Sequence, residues 1–121
     1  MAQPDFHAFL TRLPHELAFS EDDPASIIDR YYTPDVRYHN DGITLDRQRL
    51  IDHVGPARRT ATRLEVEVHD TVVEGSMASA RYTMTAVTRK DRVIRMEIYL
   101  FARYAADGRV ERVDSITRPI G

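Results

Sequence analysis

From Arg63 onward the chain alternates apolar and polar residues with a period of two, and little else can fold from such a pattern but a sheet. Leu64, Val66, Val68 and Val72 interleave with Glu65, Glu67, His69 and Thr71. Ala78, Ala80, Tyr82, Met84 and Ala86 then share one face, and Ile94, Met96, Ile98, Leu100, Ala102 and Tyr104 share another. Turn signals at Glu74-Gly75-Ser76, Arg89–Arg92 and Asp107-Gly108 divide this run, and Val110 to Thr117 closes it. The spacing predicts four long antiparallel strands joined by hairpins. Each needs one face covered.

The N-terminal half supplies the cover. Phe6, Phe9, Leu10, Leu13 and Leu17 recur at helical spacing, and Pro14 leaves open one helix or two pieces. Asp23 reads as an N-cap with Pro24 in the first turn of a second helix, which Pro34 stops. A third helix begins at Asp46, with Leu45 and Leu50 placed as a hydrophobic staple, and Gly55-Pro56 is expected to end it. Between the second and third helices, Val36, Tyr38 and Asn40 fall on one face of a short strand and Arg37 and His39 on the other, before a turn at Asp41-Gly42. The fold class that follows is α+β, a single domain over residues 1–121, with three N-terminal helices packed on a strongly curved antiparallel sheet.

YYTPDVRYHNDG and the closing YAADGRVERVDS, in this order of elements, resemble the nuclear transport factor 2-like superfamily, and within it the SnoaL-like polyketide cyclase group. The resemblance implies a cone-shaped, cystatin-like half-barrel around a pocket for a small hydrophobic organic ligand. It also implies cofactor-independent cyclase or isomerase chemistry on a ketone or polyketide-like substrate; the alternative is a non-catalytic binding or dimerisation module of the same fold.

Transferred position by position, the ketosteroid isomerase base falls at Asn40 and that enzyme's proton-donating acid near Leu100. The water-holding tyrosine and asparagine of limonene epoxide hydrolase match Tyr38 and Asn40. Its arginine and acid on the middle strand fall at Tyr82 and Met84. Its last-strand aspartate falls at Ser115 or, with a shift of one residue, at Asp114. SnoaL-type cyclases imply the same last-strand acid, so Asp114 is the candidate catalytic acid/base.

Two readings stand at each position. Asp114 either enters the cavity or pairs on the outer face with Arg112 or Arg95; Val113 as a core residue favours the outer face, and a bulge would reverse that. Asn40 and Tyr38 either fix a water or carbonyl, or Asn40 merely caps the turn. Tyr31, Tyr32 and Tyr82 either turn hydroxyls into a pocket or pack in the core. Met84, Met96 and the alanines either leave room for a ligand or allow close helix packing.

Tyr99 and Phe101 share a strand face with Arg95, Glu97 and Arg103, which predicts a homodimer through the outer sheet face. The formal charge of -2 argues against a nucleic-acid partner. With no cysteine, thiolate chemistry is excluded, and the histidines at 7, 15, 39, 53 and 69 form no metal-binding spacing. No phosphate loop is present, so no cofactor is expected. MAQPDFHAFL lacks the marks of a secretory leader and no run is long enough for a span, so a cytoplasmic protein without membrane contact is expected.

Overall fold

The structure, a computed structural model, describes residues 5–121. Helix α1 spans Phe6–Phe19 and is capped by Asp5, whose carboxylate accepts from the Ala8 N–H at 2.9 Å. Pro14 lies inside this helix, so the two-piece alternative does not occur. An internal proline costs about 3 kcal/mol. The stripe of Phe6, Phe9, Leu10 and Leu13 is buried, each side chain contributing about 1.5–3 kcal/mol, which outweighs that cost.

Helix α2, Pro24–Tyr31, starts at Asp23 as the sequence indicates, with Asp23 accepting from Ser26 N–H. Strand β1 follows at once, Tyr32–Asn40, four residues earlier than the short strand expected. Pro34 forces its predecessor into extended backbone, so it begins the strand as much as it ends the helix. The pairing of β1 is interrupted between Tyr32 and Arg37, where Pro34 has no N–H to give. Asp41 (φ 51°) and Gly42 (φ 85°) form a tight hairpin to β2, Ile43–Leu45, a strand not anticipated.

The third helix arrives as two pieces, α3 (Arg47–Asp52, capped by Asp46) and α4 (Val54–Thr60), joined at His53. Gly55-Pro56 does not end it. Pro56 lies in the first turn of α4, where a missing N–H goes unnoticed.

Strands β3 (Ala61–Glu74), β4 (Met77–Thr88), β5 (Val93–Tyr104) and β6 (Val110–Pro119) form the expected meander. The six-stranded sheet has the order β2-β1-β6-β5-β4-β3 and does not close. The expected all-antiparallel sheet needs one correction, because β1 and β6 run parallel. Helices α3 and α4 carry the chain to the far edge, and the returning meander lays β6 along β1.

A bulge between Val68 and Asp70 corrects a second expectation. Beyond it the side chains of β3 exchange faces, so Val72 is 63% exposed while Thr71 and Val73 lie opposite the buried Ala80 and Ala78. The core lies between α1, α2 and the inner sheet face, centred on Leu10, Ile27, Ile28, Val36, Leu100 and Val113. Among the described residues no helix is long and apolar enough to cross a membrane.

Candidate functional site

A cavity of about 550 Å³ lies between the helices and the inner face of the sheet. Helix α1 walls it with Phe9, Leu10, Leu13 and Leu17; the sheet contributes Tyr32, Tyr38, Asn40, Tyr82, Met84 and Leu100. The staple pair Leu45 and Leu50 closes the flank, and the small Ala57, Ala61 and Ala86 leave space that longer side chains would fill. Exposed residues of the lining, His53, Thr60 and Ile94, mark its mouth. Among the described residues no Asp, Glu, Lys or Arg lines it.

The sheet register explains why these side chains meet. Ala80, Leu100, Ser115 and Asn40 form one inward row across β4, β5, β6 and β1. Ser115 is buried and does not reach the cavity lining; its hydroxyl lies 3.1 Å from Asn40 Oδ1, to which it donates. Asn40 therefore turns its amide nitrogen away from Ser115. Beside it, burial pushes the Tyr38 phenol up, with the Ser115 hydroxyl acting in the opposite direction. The phenols of Tyr32 and Tyr82 are also raised by burial and by the nearby tyrosines. All three stay protonated.

Asp114 is elsewhere. The buried Val113 turns it to the outer face, where it pairs across the strands with Phe101 and His39. Arg112 Nε donates to its Oδ2 at 2.9 Å and holds the carboxyl below the usual carboxylate range. No bulge falls between Val113 and Ser115, so strand parity is kept and the candidate acid is withdrawn from the cavity. Tyr31 also leaves the site: it is the last residue of α2, its hydroxyl donates to Glu16 Oε1 at 3.0 Å, and it is not among the lining residues. Tyr38, Asn40, Tyr82, Met84 and Leu100 all reach the lining.

His53 was missed from the lining. Leu50, His53 and Ala57 recur at spacings of three and four, but the expected helix end at Gly55-Pro56 hid that they share a face. Among the described residues no cluster of three or more His, Asp or Glu side chains could hold a metal.

Helices laid over a curled, unclosed six-stranded sheet make the nuclear transport factor 2-like α+β fold. The model of the SnoaL-like domain matches residues 10–113, and the chain belongs to the SnoaL-like family. Similar solved structures include a putative isomerase from Rhodopseudomonas palustris, at 11% identity and a TM-score of 0.76 over 97% of this chain and 91% of that one. IdmH, a putative polyketide cyclase from Streptomyces antibioticus, is 15% identical with a TM-score of 0.67 over 87% and 86% of the two chains. AclR, a putative hydroxylase from Streptomyces galilaeus, is 16% identical with a TM-score of 0.65; it covers 77% of this chain, which spans only 64% of AclR. At these identities the likeness is one of fold. No curated protein matches the sequence.

Proposed function

We propose that this protein binds a small, largely hydrophobic organic molecule in the cavity between α1 and the inner sheet face. The observation that carries the reading is the cavity itself: about 550 Å³, open at one end and lined mainly by aliphatic and aromatic side chains. That size lies within the range of pockets that hold small organic molecules. Displacement of a fluorescent apolar probe, together with a ligand-dependent rise in melting temperature, tests it. An unchanged melting temperature across a panel of hydrophobic ketones and polyketide-like compounds overturns it.

A catalytic reading has a narrower basis, because no carboxylate reaches the cavity among the described residues. His53 is its one imidazole, at the mouth. Cofactor-free isomerisation or cyclisation of a ketone would have His53 take the proton next to the carbonyl and return it elsewhere on the substrate. Turnover abolished in His53→Ala while ligand binding persists supports this; turnover unchanged in that variant sinks it.

The outer sheet face is proposed as a two-fold homodimer contact. Tyr99 (46% exposed), Phe101 (59%) and Ile116 (64%) are neighbours there, with Tyr99 directly opposite Ile116. Charges of both signs border them, Arg81 and Arg118 beside Asp70 and Glu97, so the patch complements a rotated copy of itself.

A further inference from the structure

Four of the six tyrosines of this chain form two contrasting pairs. The hydroxyls of Tyr31 and Tyr99 donate to the carboxylates of Glu16 and Glu97, neither of which lines the cavity. Tyr32 and Tyr82 line the cavity with buried side chains (3% and 5% exposed), and their hydroxyls make no hydrogen bond among the described residues. Hydroxyls set among apolar side chains are ordinarily satisfied by protein, water or ligand. The Asn40 amide adds to them, since its oxygen is already engaged by Ser115 and its N–H₂ remains to donate.

We infer that the cavity selects an uncharged ligand that offers a hydrogen-bond-accepting oxygen to the hydroxyls of Tyr32 and Tyr82, with the Asn40 amide as a third donor. The inference rests on the cavity being a small-molecule site. Among the described residues, an anionic ligand would find no Lys or Arg on the wall and a cationic one no Asp or Glu. Nor can the tyrosines supply the missing negative charge, because burial holds them protonated. Transfer of an unpaired ion from water into such surroundings is strongly unfavourable, while a ketone oxygen loses little and gains donors. A ligand carbonyl would take the place that water takes at hydroxyls of this kind.

A matched series separates the hydrogen bond from the hydrophobic contact: fluorene, 9-fluorenone, fluorene-9-carboxylate and 9-(aminomethyl)fluorene. Each is titrated against wild type, Tyr32→Phe and Tyr82→Phe by displacement of a fluorescent apolar probe, with circular dichroism to confirm folding. The expected result is that fluorenone binds about tenfold more weakly to the phenylalanine variants while fluorene is unchanged. The two charged compounds are expected to bind at least about a hundredfold more weakly than fluorenone to wild type. Fluorene binding with fluorenone insensitive to both substitutions overturns the inference and leaves the cavity reading intact. A carboxylate or ammonium that binds as tightly as the ketone overturns it too, and this arm needs no variant to fold. If neither fluorene nor fluorenone binds wild type, the small-molecule reading itself fails.

Discussion

Ser115 Oγ donates to Asn40 Oδ1 at 3.1 Å, tying the last strand to the first across the parallel junction of the sheet. The same hydroxyl lies 3.3 Å from the His39 carbonyl, and the Asp41 N–H donates to the Ser115 carbonyl at 3.1 Å. These bonds orient an amide on the cavity wall while keeping Ser115 itself out of the lining.

Ser115→Ala is expected to lower stability by about 1 kcal/mol, the worth of one partly buried hydrogen bond. Thermal melts should show a fall of about 4 °C for a chain of this size. Ligand affinity should fall as well, because the Asn40 amide is then free to rotate. Affinity unchanged in this variant would remove Asn40 from the recognition argument.

Asp114→Asn is expected to leave ligand binding unchanged. The Asp114–Arg112 pair is about half exposed on both sides, so solvent screens it and stability should change little. Probe displacement and chemical denaturation of the variant check both statements. A large loss of binding would return Asp114 to the site.

Stability is expected to fall as the solution is acidified, with Glu97 among the groups responsible. Its side chain is only 13% exposed and accepts from Arg118 at 3.0 Å, from the Tyr99 hydroxyl at 2.9 Å and from Arg81 at 3.4 Å. The Arg118 bond first, and the Tyr99 bond next, hold the carboxyl below its ordinary value. A lowered folded-state value means the stabilisation is complete well above the unfolded value of about 4.3 and is lost as pH falls through the folded value. Urea titrations from pH 7 down to pH 3 should therefore show a shallower acid loss in Glu97→Gln than in wild type.

Phe101→Asp or Tyr99→Asp is expected to give a monomer by light scattering where wild type gives a dimer. Each places a charge in the apolar patch beside Ile116 and is repeated by the two-fold axis. A dimer that survives both substitutions excludes this face as the contact.

The period-two run made the meander legible, and the caps at Asp23 and Asp46 lie where the sequence puts them. Strand β2 was not legible, since three residues are too few to show a period. The parallel pairing of β1 with β6 left no trace either, because register between distant strands is set by the path of α3 and α4, not by local pattern. Tyr38, Asn40, Tyr82, Met84 and Leu100 could be placed on the cavity wall from strand parity, which counts reliably along an unbroken strand. Val72 could not, because the bulge after Val68 changes the count by one.

By itself, then, the sequence determined the kinds and order of the long elements and, wherever a strand runs unbroken, the face each side chain takes, because alternation and capping are local physics. Only the tertiary structure decided that Asp114 belongs to Arg112 and not to a ligand, and that Ser115 serves Asn40. It alone put Tyr32 and Tyr82 on the cavity wall with no hydrogen-bond partner for their hydroxyls among the described residues. Whether a polar group is paired depends on what distant segments bring to it, and no local pattern records that.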